Sequence, residues 1–197
     1  GDEGSPIFVR PTPKVLWLGV LCLFAFLAEG AILDWSAVFL AQVRGVEHSI
    51  AGLGYAAFAV MMALGRLSGD RILLKLGSRA VLIGGGLIVM LGFTIVVLVT
   101  DWLMNLAGFA VIGIGLANIA PVYLSLAGAQ QTMPGELAIA AATSLGYLGI
   151  LMGPAVIGLF AHATSLSLAL LAVASLMIAV IASATRLVPK GSRQRLH

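Results

Sequence analysis

The stretch V-L-W-L-G-V-L-C-L-F-A-F-L-A-E-G-A-I-L-D-W-S-A-V-F-L, Val15 to Leu40, is apolar almost throughout and carries only two charged side chains, Glu29 and Asp34. A bilayer hydrocarbon core about 30 Å thick needs roughly 20 apolar residues at about 1.5 Å each, so this run is long enough to cross. Working outward from it, five more runs meet the same length: Ile50 to Leu67, Ala80 to Thr100, Trp102 to Ala127, Leu137 to Ala161 and Ser165 to Leu187. Polar residues or turn formers break the pattern between them. These are Arg44, Glu47 and His48; the basic stretch Arg66 to Arg79; Asp101; Gln130 to Glu136 with Pro134-Gly135; and His162 to Thr164. The fold class that follows is all-α and integral to the membrane, a bundle of six transmembrane helices whose first partner is the lipid bilayer.

Composition points the same way. Hydrophobic residues make up 60% of the chain and charged residues 10%, whereas a soluble domain carries about 25% charged residues. Too little polar surface exists to cover a water-soluble fold. Cys22 is the single cysteine, so one chain can assemble neither a disulfide nor a cysteine metal site. His48 and His162 fall in turns without a carboxylate or cysteine at ligand spacing and read as solvated; neither metal nor cofactor is expected. The net charge of +3 comes from basic residues clustered between apolar runs instead of forming one stripe with interleaved aromatics, which argues against a nucleic-acid partner.

Those clusters carry topological information. Arg10, Lys14, Arg66, Arg71, Lys75, Arg79, Arg186, Lys190, Arg193 and Arg195 fall on one side of the alternation, and Arg44 alone on the other. The positive-inside rule therefore predicts both termini in the cytoplasm. Leu187 to Ser192 reads L-V-P-K-G-S, similar to a protease-recognition tag, and the asymmetry survives when the tail after Leu187 is set aside.

Ionisable groups inside a membrane are costly, about 2.5–3.5 kcal/mol each at the bilayer centre. Glu29 lies near the middle of the first helix and Asp34 toward its outer half. Five residues apart, they sit about 7.5 Å apart along the axis and about 140° apart around it, so they cannot point at one partner helix. Desolvation opposes the charged form of Glu29, which makes it a candidate for carrying a proton coupled to solute movement; hydrogen bonding to a solute, or a neutral acid satisfied by a backbone carbonyl, are the competing roles. Trp35 reads equally as an interfacial anchor or a stacking surface, and Ser36 shares the face of Glu29. Asn118, Val122 and Ser125 follow one stripe of the fourth helix, while Thr143 and Tyr147 form an i, i+4 pair on the fifth. Such groups suit either a cavity for an uncharged polar solute or plain interhelical hydrogen bonds. Gly52, Ala56, Ala59 and Ala63 form a small-residue stripe expected to pack closely, and Pro121 and Pro154 are expected to free the carbonyls of Ala117 and Ile150.

The strongest local motif is G-R-L-S-G-D-R, Gly65, Arg66, Leu67, Ser68, Gly69, Asp70 and Arg71. It resembles the C-terminal copy of the loop signature of the major facilitator superfamily, although Leu73 stands where the family often has glycine. A-E-G-A-I-L-D-W (Ala28 to Trp35) and G-Y-L-G-I-L-M-G-P (Gly146 to Pro154) are similar to the seventh and eleventh helices of bacterial facilitators, and S-P-I-F-V-R-P (Ser5 to Pro11) to the end of their central cytoplasmic loop. The resemblance covers nearly the whole chain as helices seven to twelve of a twelve-helix protein. It implies two three-helix repeats in inverted orientation, residues 15–100 and 101–187, preceded by a cytoplasmic loop end (1–14) and followed by a cytoplasmic tail (188–197). It implies that the first and fourth helices, with Glu29, Asp34 and Asn118, line a central cavity, and that Asp70 faces a helix N-terminus in the opposite half, where the dipole favours a carboxylate.

Secondary transport of a small-molecule solute by alternating access, in the bacterial inner membrane and with a second six-helix half or another copy of this chain as partner, is the function this implies. A non-transporting membrane scaffold or truncated fragment is the alternative. An enzyme is not expected, because no serine–lysine, serine–histidine, paired-aspartate or His-Glu-x-x-His arrangement appears within the helices.

Overall fold

The structure is a computed structural model and describes residues 10–188. Ser5 to Val9, and Lys190, Arg193 and Arg195 of the tail, lie outside the described residues. Among those described, six helices are long and apolar enough to cross a membrane: α1 (Pro13–Arg44), α2 (His48–Leu67), α3 (Gly69–Leu98), α4 (Trp102–Gly128), α5 (Gly135–Ala163) and α6 (Leu166–Leu187). No strand occurs among them.

Local chemistry sets the helix ends. Pro13 opens α1 at a position where its missing N–H costs nothing. Gly45 closes the helix in the left-handed region (φ 70°), its N–H donating to the Leu40 carbonyl. The Asp101 carboxylate accepts from the Met104 N–H (2.9 Å) and the Ser165 hydroxyl from the Leu168 N–H (3.2 Å), capping α4 and α6. Inside α4 the helix is interrupted at Ala117–Asn118, one turn before Pro121, which has no N–H to return to the Ala117 carbonyl.

Two close crossings organise the bundle. α5 runs along α1, and α2 runs along α4, which also packs against α3. In the first crossing a Cβ on Gly149 would collide with the Leu23 carbonyl, and in the second a Cβ on Gly113 would collide with that of Phe58. Only glycine permits backbones to approach so closely, which in lipid replaces the missing hydrophobic drive for helix association. Phe39, Phe58, Phe93, Phe109 and Tyr123 fill the interior between these pairs.

Burial also falls into pairs. In the most apolar stretch of each helix, 56% of residues are buried in α1 and 61% in α4, 28% in α2 and 22% in α5, and 44% in α3 and 39% in α6. Helices three apart in the chain are thus buried to similar extents. Leu151 and Leu159 of α5 are 75% and 74% exposed, an outer surface that lipid or another apolar bundle must cover.

Two expectations are corrected. The basic stretch Arg66 to Arg79 is not a loop: helix resumes at Gly69, because Ile72, Leu73, Leu74, Lys75 and Leu76 are helix-compatible, and bends at Gly77 (φ 77°) before continuing to Leu98. The stripe Gly52, Ala56, Ala59 and Ala63 is not the tightly packed face of α2; Gly52, Ala56 and Ala63 are exposed, and the buried face is Gly54, Phe58, Met62 and Gly65. Close approach on that face comes from glycines of both helices: Gly113 of α4 lies against the backbone of Phe58 and Met62, and Gly54 and Gly65 of α2 lie against Phe109 and Ala117 of α4.

Candidate functional site

The loop motif and the central helices meet at the end of α2. That helix spans 20 residues and α1 spans 32, so α2 terminates level with the middle of α1. Arg66 reaches across, and its Nη2 lies 3.3 Å from Glu29 Oε2. The side chains are 48% and 25% exposed respectively, and this is the single salt bridge among the described residues. Two residues read from the sequence as belonging to separate places, mid-helix and loop, thus form one pair.

Beside them, the motif glycines explain themselves. A Cβ on Gly65 would strike the Ala117 side chain, and one on Gly69 would collide with Asn118 Oδ1. Asn118 sits at the break in α4, and its Nδ2 donates to the Gly65 carbonyl (3.0 Å). Gly65 and Gly69 are therefore the contact surface by which the end of α2 and the start of α3 seat on the α4 break, and Gly65–Arg66 bridges α4 to α1. Asp70, in the first turn of α3, and Arg71 are exposed.

The other sequence candidates do not converge on this pair. Asp34 is exposed on a different face of α1. Trp35 is half-buried, packed against Gly158 of α5, and Ser36 is buried; Trp35 Nε1 and Ser36 Oγ have no hydrogen-bond partner. Thr143 is half-buried, while Tyr147 is exposed and stacks on Phe26 of α1 with centroids 5.5 Å apart and planes 7° apart. Phe26 lies one turn before Glu29 on α1. No cluster of three or more His, Cys, Asp or Glu that could hold a metal occurs among the described residues.

Sequence reasoning missed two polar networks. Tyr123 is fully buried, with its hydroxyl 2.6 Å from Ser183 Oγ and donating to the Val180 carbonyl (3.2 Å), and it ties α4 to α6. At the opposite end of the bundle, Arg44 donates through Nε to Asn105 Oδ1 (3.0 Å) and through Nη2 to the carbonyls of Val96 (2.9 Å) and Val97 (2.8 Å), with its guanidinium 4.9 Å from the centre of the Phe39 ring. A single arginine on the side that the charge rule leaves almost empty was the one available signal.

No protein-family model matches the chain. It is 48% identical over 180 residues to an uncharacterized MFS-type transporter of Yersinia pestis, covering 91% of this chain and 47% of that protein. It is 36% identical over 158 residues to the membrane protein MosC of Rhizobium meliloti (80% and 39%). It is 35% identical over 167 residues to an uncharacterized transporter of Sinorhizobium fredii (85% and 44%). The chain spans less than half the length of each of these curated relatives.

Proposed function

We propose that this chain, similar over 91% of its length to an MFS-type transporter and built as a six-helix half of the major facilitator fold, moves a small solute by alternating access against a second six-helix bundle. We read it as the C-terminal half, from the G-R-L-S-G-D-R motif at Gly65–Arg71. The two three-helix units, 15–100 and 101–187, are related by inversion. The pairwise match in burial between α1 and α4, α2 and α5, and α3 and α6 supports that division.

One observation carries the mechanistic reading: an arginine–carboxylate pair held between α1 and the last turn of α2. Ion pairs at membrane depth mark pathways more often than packing. Glu29 is the proposed proton carrier, and the basic end of the bundle, with Arg66, Arg71, Lys75 and Arg79, is the proposed cytoplasmic side of the inner membrane. Partnership with an N-terminal half, or with a second copy, supplies the opposing wall of the cavity, and transport rather than catalysis is the activity proposed.

Flux tests this. Liposomes containing the chain together with its second half are expected to exchange solute and to accumulate it when a proton gradient is imposed. Glu29→Gln is expected to retain exchange and lose gradient-driven accumulation. Equal accumulation by both proteins would remove Glu29 from the coupling, and absence of any flux from the paired halves would favour a scaffold.

A further inference from the structure

We propose that the seam between α3 and α6, at the basic end of the bundle, holds one anionic phospholipid, its headgroup paired with Lys75, Arg79 and Arg186 and its acyl chains lying along the apolar outer face of the two helices. The inference goes beyond solute movement and does not rest on it.

Helix packing makes the seam. A Cβ on Gly86 of α3 would lie 2.8 Å from the Ile181 side chain and 3.5 Å from the Met177 carbonyl, so α3 and α6 touch at this level. Successive residues turn about 100° around a helix. Gly85 accordingly faces α4, where its Cβ would lie 2.7 Å from the Gly115 carbonyl, while Leu87 points to the opposite side and is exposed. On α6, Ser183 is buried and bonds to Tyr123 of α4, whereas Ile178, Ala182 and Arg186, at i, i+4 and i+8, form an exposed stripe. Leu87 and that stripe therefore border the seam on the side away from α4. α3 packs on neither α1 nor α5. This corner thus lies behind α4 as seen from Glu29, away from the wall that a second bundle faces.

Cations gather at the foot of the seam. Arg79 stands seven residues before Gly86, on the face turned to α6, and its Nη1 lies 3.4 Å from the Val188 carbonyl just past the end of that helix. Arg186 closes the exposed stripe of α6, and Lys75 is exposed just before the bend at Gly77. Among the described residues no carboxylate pairs with any of the three. α6 contains no acidic residue, and the single acid of α3 is Asp70, at the start of the helix. Like charges brought together by packing repel one another, a cost that a bound anion removes.

The neighbours of these cations select a lipid over a soluble anion. Leu74 and Leu76 flank Lys75 and are exposed, and Leu87 and Ile178 continue the apolar surface above the arginines. A free phosphate satisfies the charges and leaves the leucines uncovered. A phospholipid satisfies both at once, with its phosphate on the cations and its chains on the leucines, which is the complementarity that basic pockets between membrane helices offer to anionic headgroups.

Lipid retention provides the test. The chain, alone and paired with its second half, is held in micelles containing equal amounts of dioleoyl phosphatidylglycerol and dioleoyl phosphatidylcholine, and the lipids it keeps are counted by native mass spectrometry. Wild type is expected to keep one phosphatidylglycerol in preference to phosphatidylcholine in both forms, with the preference falling as salt rises. Lys75→Gln and Arg186→Gln should each lower that preference about fivefold, and together about 25-fold, the factors that correspond to about 1 kcal/mol per basic residue. Arg79→Gln should lose about as much and Arg79→Lys should stay near wild type, so a folding defect in one variant leaves the others informative. Lys14→Gln, at the start of α1, should match wild type. Dihexanoyl phosphatidylglycerol, with the same head and short chains, should be held far more weakly. A preference that survives the Lys75→Gln, Arg186→Gln double variant, or that falls as far in Lys14→Gln, overturns the inference. So does equal retention of the dihexanoyl lipid, which would make this a site for soluble anions, and so does loss of the preference on pairing, which would give the face to the second half. Loss of all lipid preference beside intact solute flux would sink this inference and leave the transport reading standing.

Discussion

Two arginines, one at the end of α1 and one level with its middle, have the same side chain and opposite fates. Arg44 closes α1 and turns into the interior, where the last carbonyls of α3 have no helical partners of their own; it satisfies those of Val96 and Val97 and binds Asn105 as well. Its charge also lies at a helix C-terminus, the end of the dipole that favours a cation. Arg66 closes α2 and turns toward Glu29, with one long contact and half its surface open. Saturated, an arginine is a clamp joining α1, α3 and α4; unsaturated, it is a group with bonding capacity left for something else. Exposure and the number of bonds made separate the two roles, where residue type and helix position do not.

The sharpest way to break this contrast is to remove the clamp. Arg44→Ala leaves Asn105 Oδ1 and the Val97 carbonyl without a donor, while the Val96 carbonyl keeps the one from Asn105 Nδ2, and is expected to destabilise the protein by about 3 kcal/mol, since hydrogen bonds from a charged donor are worth about 1.5–3 kcal/mol each and are only partly replaced by water. Denaturant titration in mixed micelles reads the loss, and a double-mutant cycle with Asn105→Ala should show coupling above about 0.5 kcal/mol. A change under about 1 kcal/mol for Arg44→Ala would place Arg44 with the loosely held side chains and erase the distinction. Next in size is Gly69→Ala, whose methyl collides with Asn118 Oδ1. It is expected to cost about 2 kcal/mol through overpacking, and pairing it with Asn118→Ala should recover part of that loss. Alone, Asn118→Ala removes one interhelical hydrogen bond and should cost about 0.6 kcal/mol.

The six helices were legible because membrane crossing depends on length and hydropathy, and both are written in the chain; α1, α2 and α4 lie within a few residues of their apolar runs. Pro121 likewise announced the break at Ala117–Asn118, since a missing N–H acts locally. Relative depth was not legible. Apolar runs do not say that α2 ends level with the middle of α1, so Glu29 and Arg66 read as residues of different layers and their contact was invisible. The Arg44 network was hidden for the same reason: Asn105 and the carbonyls of Val96 and Val97 become its partners only when α3 and α4 pack beside the end of α1. The small-residue stripe of α2 misled because the face that approaches α4 is a different one, where Gly54 and Gly65 of α2 and Gly113 of α4 together permit the contact. Gly65 and Gly69 stood out as part of a recognisable motif, but their physical cause, the Ala117–Asn118 step, belongs to another helix.

The smallest effect is the most informative. Arg66→Gln is expected to change stability by less than about 1 kcal/mol, because a half-exposed ion pair with a single contact is worth between about 0 and 1 kcal/mol and because Glu29, losing its partner, can take a proton instead of standing as a buried charge. The same substitution at the other arginine, Arg44→Gln, offers Asn105 and the two carbonyls a shorter, neutral donor and should cost at least twice as much. Measured side by side in one lipid, the two glutamine variants compare like with like: the same side-chain chemistry, removed from a saturated site and from an open one. Equal losses would mean that Arg66 is bound into the fold as firmly as Arg44. A near-neutral Arg66→Gln beside a costly Arg44→Gln is the result the contrast requires, since one long contact at a half-exposed site cannot hold the fold as three hydrogen bonds do.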